Sequence, residues 1–302
     1  MTSGTAGNSP ARVSTVLLGC GYTLRRLAAI LPEGTTVLTS RSPGRVEGWI
    51  EEGFSASVVD TQNRTHLSEL LKQYPDVHTI VDSVPPQFGD PETSPNLGVR
   101  NLLSAIAGTS VERIVYLSTT GVFGVEDGSP VDEATPARPS NPRSLARLEA
   151  EDLYRSGSVS SVVLRLPAIY GPGRGIGLSL RDGTYRLVES GSRWSNRIHV
   201  HDLVEVLARI TMGSELRIPP LLCVTDDRPA RSSEVVRHYC QTLGLPHPRE
   251  ISLDEAVGRG MHTLLSNQRV SNRLMKSLLG VTLRYPSYVE GAGTEFEVDS
   301  SL

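Results

Sequence analysis

The stretch Val13-Ser-Thr-Val-Leu-Leu-Gly-Cys-Gly-Tyr-Thr-Leu24 decides how the rest of the chain reads. An apolar, β-branched run from Val13 to Leu18 stops at Gly19-Cys20-Gly21. Leu24, Leu27, Ala28 and Leu31 then fall on one face of a helix, which Pro32 closes. A strand entering a helix through two glycines is the setting in which such a turn holds a phosphate. Glycine lets backbone N–H groups approach closely, and the helix N-terminus adds partial positive charge. The third glycine of the full pattern would stand at position 24, where this chain has Leu24.

Outward from that turn, strand-like runs alternate with helical periodicity. Thr36 to Thr39, Ser55 to Val59, Thr79 to Val84, Arg113 to Ser118 and Ser161 to Leu166 predict strands. Arg45 to Glu52, Leu67 to Tyr74, Leu97 to Ala107 and Ser144 to Tyr154 predict helices. Such alternation implies a parallel sheet with helices on both faces, and the uninterrupted apolar strands suit a sheet buried on both sides. Beyond Gly171 the strict alternation stops, and Asp202 to Thr211 and Ser233 to Leu243 are further amphipathic helices. The expected layout is a lead-in over 1–12, a nucleotide-binding domain over 13–170 with part of 196–225 returning to it, a substrate lobe over 171–293 and a tail over 294–302.

Of the 302 residues, 38% are hydrophobic and 28 are glycine, which excludes wholesale disorder and collagen-like or coiled-coil architecture. A net charge of −3 leaves no basic field for nucleic acid, and no apolar run is long enough to span a membrane. Cys20, Cys223 and Cys240 are far apart and lack metal-ligand spacing, so a reduced, cytoplasmic, metal-free protein is expected. Met1 to Arg12 lacks the apolar core of a signal peptide and reads as a disordered lead-in. Of 30 basic residues, only Lys72 and Lys276 are lysines.

The end of the second strand, Thr39-Ser40-Arg41-Ser42, carries no acid. Asp or Glu there would bond a ribose 2′-hydroxyl, whereas a guanidinium among hydroxyls suits a 2′-phosphate. The expected cofactor is therefore NADP rather than NAD, with a surface salt bridge as the alternative role for Arg41. Asp60, ending the third strand, fits either an adenine-edge contact or a helix cap. Arg25 or Arg26 would reinforce a phosphate site or be solvated surface.

Tyr116-Leu-Ser-Thr-Thr-Gly-Val-Phe-Gly124, Arg147-Leu-Glu-Ala-Glu151, Arg165-Leu-Pro-Ala-Ile-Tyr-Gly-Pro-Gly-Arg174 and Arg197-Ile-His-Val-His-Asp202 resemble the extended short-chain dehydrogenase/reductase superfamily. Ser271-Asn-Arg-Leu, Gly280 and Tyr285-Pro-Ser-Tyr-Val-Glu-Gly291 resemble its nucleoside-diphosphate-sugar epimerase-like, atypical branch. The resemblance implies an α/β fold, a Rossmann-type doubly wound parallel sheet with a smaller C-terminal substrate lobe. It implies cofactor contacts at Gly19, Gly21, Tyr22, Arg41, Asp60, Val84, Ser118, Arg147 and Pro167, and substrate contacts at Arg174, Arg197 and His199. The substrate would be a small molecule, phosphorylated or a nucleotide sugar. Members often dimerise through paired helices, here Leu97 to Ala107 and Leu145 to Tyr154.

Such enzymes use a Ser or Thr, a Tyr and, four residues on, a Lys. Thr119 falls at the first position, but Arg143 and Arg147 fall at the other two. A guanidinium does not release its proton, so Arg143 cannot act as the acid or base, although Arg147 can still donate to a ribose. The catalytic candidates are Thr119, Arg147 and Tyr170, with His199, His201 and Glu133 as weaker ones. Six arginines, Arg165, Arg174, Arg181, Arg186, Arg193 and Arg197, crowd the segments expected to roof the site. Three readings follow: a reductase or epimerase/dehydratase with a non-standard proton donor, a dinucleotide sensor or scaffold without catalysis, and a structural protein that has lost the cofactor.

Overall fold

The structure, a computed structural model, describes residues 12–89, 92–213, 217–261 and 266–299. Most of the lead-in and the last three residues of the tail lie outside them. Seven strands form the central sheet: β1 (Thr15–Leu18), β2 (Thr36–Ser40), β3 (Ser55–Val58), β4 (Thr79–Asp82), β5 (Arg113–Thr119), β6 (Ser160–Leu166) and β7 (Leu221–Cys223). They run 3-2-1-4-5-6-7 from one edge, every pair parallel. The order reverses between β1 and β4, so the crevice for a ligand opens beyond their carboxyl ends.

The central strands are largely apolar because both faces are covered, whereas the edge strand β3, Ser55-Ala-Ser-Val58, is only partly buried. Leu17, Leu38, Val81, Val115, Leu117, Val162 and Leu164 face one side. There they meet α1 (Tyr22–Ile30), α2 (Pro43–Glu51), and later α7 (Val200–Met212) and α10 (Arg273–Leu279). Val16, Leu18, Val37, Ile80, Ile114, Tyr116 and Val163 face the other, against α3 (Arg64–Gln73), α4 (Leu97–Ala105) and α5 (Pro142–Arg155). Alternation along each strand thus feeds two cores, and each buried Leu, Ile or Val contributes about 1.5–3 kcal/mol.

Local chemistry sets the element ends. Asn63 and Asn141 cap α3 and α5, accepting from Thr65 N and Ser144 N. β4 ends at Asp82, two residues earlier than its apolar run, because Asp82 Oδ1 accepts from Val84 N at 2.8 Å and turns the chain. β7 is a three-residue strand that joins β6 after the smaller lobe has begun.

That lobe includes α6 (Ile176–Arg181), α8 (Ser232–Leu243), α9 (Leu253–Gly258) and α11 (Tyr288–Gly291), with a core of Leu180, Leu187, Val235, Val236, Tyr239 and Tyr288. Two short parallel pairings tie it to the sheet's carboxyl edge: Ala168–Tyr170 with Arg197–His199, and Pro130–Val131 with Arg269–Val270. Among the described residues no helix is long and apolar enough to cross a membrane.

Candidate functional site

The turn after β1 is built around two glycines with different reasons to be glycine. Gly19 has φ +73°, and a Cβ there would lie 2.6 Å from Val84 Cγ2, so both backbone and packing exclude a side chain. Its N–H donates to Thr39 Oγ1 at 3.1 Å, Cys20 N donates to Thr39 O at 2.8 Å, and Ser83 Oγ donates to Gly19 O at 2.7 Å. Gly21 is different. A Cβ there would meet only Gly19 O, at 3.9 Å, so the space above it is open. Gly21 is also the N-cap of α1, with no side-chain cap and no acid in the first turn, which leaves the leading N–H groups for an anion. Leu24, at the third glycine's place, is fully buried in the core.

The two arginines of α1 are already engaged. Arg25 pairs with Glu52 and lies 4.3 Å from the Phe54 ring centroid. Arg26, 4% exposed, donates to Tyr22 O and Pro172 O, pairs with Asp299 at 2.5 Å, and stacks 3.8 Å over the Tyr22 ring. Arg174 is exposed and lies 5.2 Å from the same ring.

At the end of β2, Arg41 is exposed and donates to Gln87 Oε1 at 3.1 Å across the crevice. Among the described residues neither Arg41 nor Arg45, one turn further on, has a carboxylate partner. Asp60 Oδ1 accepts from Gln62 N at 3.0 Å, so that oxygen closes a turn, and the cap of α3 is Asn63 instead. Leu18, Thr61, Asp82, Val84, Asn96 and Val99 line a narrow cleft between the sheet edge and α4.

Beneath the crevice lies a polar floor that the sequence did not announce. Asp82, 2% exposed, accepts from Tyr154 OH at 2.5 Å. The Tyr154 ring lies 4.9 Å from that of Tyr116, whose OH accepts from Arg147 Nη1 at 2.9 Å. The same Nη1 donates to Leu117 O at 3.0 Å, so Arg147 is fixed at the end of β5. Burial pushes the Asp82 carboxyl up to about 6 and the Tyr116 phenol up to about 12.

A carboxyl raised in the folded state binds its proton there more tightly than in the unfolded chain. Its contribution to stability is therefore full below ~pH 4 and lost as pH rises through about 6. Asp82→Asn is expected to be more stable than wild type by about 2–3 kcal/mol at pH 8 and equal to it near pH 4, measured by urea unfolding at both.

Other expected site residues are placed as follows. Thr119 Oγ1 accepts from Gly121 N at 3.1 Å, capping the 3-10 turn Thr120–Phe123. Ser118 Oγ donates to Glu151 Oε1 at 2.5 Å, so its side chain points into the core, where Glu151 pairs with Arg165 at 2.8 Å. Arg165 therefore does not roof the site. Arg143 is exposed on the first turn of α5. Pro167 is partly exposed between β6 and Ala168–Tyr170.

Tyr170, expected as a substitute phenol, lies inside the protein. It is 3% exposed, its OH donates to Ser287 O at 3.2 Å, and burial raises its phenol far above the usual range. His199 is likewise internal. Nδ1 accepts from His201 N at 3.2 Å as the cap of α7, which assigns the proton to Nε2, 3.1 Å from Thr294 Oγ1. Burial lowers its pKa to about 3, which keeps the ring neutral. Arg197 is 8% exposed, donates to Ser195 Oγ at 2.8 Å and lies 5.2 Å from the Tyr288 ring. Glu133 accepts from Cys223 N and orders its loop. Arg181 and Arg193 pair with Asp182 and Glu189, and Arg186 donates to Gly183 and Tyr185 carbonyls. Of the six arginines, Arg174 alone is exposed and without an ion pair among the described residues.

Comparison with known proteins agrees with this architecture. The model of the NAD dependent epimerase/dehydratase family matches residues 21–213. The 3-diazoavenalumate denitrifying reductase of a Streptomyces species is 28% identical over 244 residues, 75% of this chain and 79% of that protein. A functionally unknown conserved protein from Silicibacter pomeroyi DSS has the same fold, with a TM-score of 0.75 and 31% identity over 92% of this chain and 96% of that one. UDP-glucuronic acid 4-epimerase from Bacillus cereus, solved with UDP-glucuronic acid and NAD, shares the fold at a TM-score of 0.72 and 16% identity, covering 93% of this chain and 97% of that one. With the 3-2-1-4-5-6-7 sheet, the glycine turn at its switch point and a family match across most of the chain, the protein belongs to the NAD-dependent epimerase/dehydratase family.

Proposed function

We propose that the protein is an NADP(H)-dependent reductase whose substrate is an anion that needs no proton from the protein. The residues present fit the dinucleotide. The open space over Gly21 and the uncapped N–H groups of α1 suit its pyrophosphate, and the cleft by Thr61 and Val84 suits its adenine. Arg41, beside Ser40 and Ser42, would hold the 2′-phosphate, with Arg45 adding charge. Arg147, held by Tyr116 and Leu117, would donate to the ribose next to the nicotinamide, near Thr119. When bound, the nicotinamide supplies a hydride equivalent.

The single observation that carries the reading is the chemistry of α5. Arg143 and Arg147, four residues apart, share one face, and neither has a carboxylate partner among the described residues. Two cations there attract an acid and release no proton. The phenols of Tyr116 and Tyr170 are both buried. Reduction of a carbonyl needs a proton on oxygen, whereas an acceptor that expels its own leaving group does not. The Streptomyces relative, by name a denitrifying reductase of a diazo acid, has such an acceptor. A phosphorylated substrate would also meet the arginines, but epimerisation would require a base, and Arg143 and Arg147 stand where the family's tyrosine and lysine would.

The test is NADPH oxidation with a panel of aryl diazo acids, carbonyl compounds and nucleotide sugars. Turnover is expected with the diazo acids alone, and turnover with the carbonyls would overturn the reading. Arg41→Ala is expected to weaken NADP+ binding about 10–100-fold and leave NAD+ binding unchanged, by calorimetric titration. The same pair of arginines also fits a non-catalytic NADP(H) sensor, which would bind the cofactor and turn over none of the panel.

A further inference from the structure

The counter-ion of Arg26 comes from an unexpected place. Arg26 is 4% exposed, and its guanidinium folds back onto Tyr22 O, the first residue of α1. Its charge therefore sits beside the helix N-terminus, where the proposed dinucleotide would bring its phosphates. The carboxylate that neutralises it is not a neighbour in the sheet but Asp299, near the end of the chain.

The segment that delivers Asp299 is anchored upstream. Thr294 Oγ1 meets His199 Nε2, the Glu295 carboxylate accepts from Tyr239 OH at 2.7 Å, and Glu295 O accepts from Gly173 N at 3.0 Å. Beyond that anchor, Phe296 and Val298 are 40% and 95% exposed, while the Asp299 side chain is 11% exposed. A largely solvated stretch thus ends in an inserted acid. Around the insertion, Tyr22 OH, Arg26 Nε and both ring nitrogens of His201 are buried without hydrogen-bond partners among the described residues, and Tyr22 and His201 lie within electrostatic reach of Asp299.

We propose that Arg26, Tyr22 and His201 form an anion subsite beside the glycine turn, which the chain's own Asp299 fills, and that the C-terminal segment competes there with the phosphates of a bound dinucleotide. The proposal rests on the dinucleotide reading above. Like charges at one cation disfavour joint occupancy, and such coupling is reciprocal: what excludes the ligand is itself released by it.

The experiment titrates NADP+ into the wild-type 302-residue chain, Asp299→Asn and a chain ended after Glu297, with thermal melts as folding controls. Hydrogen exchange at 294–299 is followed in wild type with and without NADP+. Both variants are expected to bind about 5–50-fold more tightly, and NADP+ is expected to speed exchange in the segment. Unchanged or weaker binding by the variants, or protection of the segment by NADP+, would overturn the proposal while leaving the cofactor reading intact. If neither wild type nor variant binds, both fall.

Discussion

Gly21→Val is expected to cost the protein at least about 100-fold in dinucleotide affinity while leaving its melting temperature nearly unchanged. The reason is where the new side chain goes. Apart from its chain neighbours, a Cβ at Gly21 meets nothing of the protein closer than Gly19 O at 3.9 Å, so the side chain grows into open space. A ligand phosphate lying on the α1 N–H groups does not. Two or more charge-assisted hydrogen bonds at about 1.5–3 kcal/mol each would be lost. Gly19→Ala is the contrasting case. Its φ of +73° and the 2.6 Å approach to Val84 mean that the turn itself must shift, so stability falls along with binding. Calorimetric titration paired with thermal melting separates the two. A Gly21→Val protein that still binds normally would show that the phosphates lie elsewhere.

Glu151→Ala is expected to destabilise the fold by about 3–5 kcal/mol. Glu151 is fully buried and accepts from Arg165 Nη2 at 2.8 Å and from Ser118 Oγ at 2.5 Å. Arg165 is 2% exposed, stacks 4.6 Å over the Phe123 ring, and has no other acid in contact among the described residues. Removing the carboxylate would leave an uncompensated guanidinium between β5, β6 and α5, too deep to reach water. Replacing both partners, Glu151→Leu with Arg165→Met, should recover most of the loss, because the penalty belongs to the stranded charge and not to the missing pair. Urea unfolding of the single and double variants reads the cycle, and equal stability of Glu151→Ala and wild type would contradict it.

Much of this was legible in the chain. The run into Gly19-Cys20-Gly21 and the strand–helix alternation after it carry local periodicity, which a parallel sheet requires and a reader can follow. The absence of an acid at Thr39-Ser40-Arg41-Ser42 is equally local. Asp82 and Tyr154, by contrast, are 72 positions apart and meet only through the register of β4, β5 and α5. Nothing in the spacing marks them as partners. The surroundings of Tyr170 are hidden in the sequence for a related reason. Its loop does pass near the turn, as Arg26 bonding to Pro172 O shows, but the phenol turns inward to Ser287, a contact spanning 117 positions. Arginine clustering between positions 165 and 197 was also ambiguous, since charge-pair geometry and not composition decides which guanidinium remains open.

The most direct measurement is the binding of NADPH and of NADH to the wild-type protein, side by side in one buffer, by nicotinamide fluorescence. A saturable NADPH signal at least about tenfold tighter than that of NADH is the expected outcome. Indistinguishable curves, or no signal from either, would mean that the mouth between β1 and β4 does not recognise a 2′-phosphorylated dinucleotide.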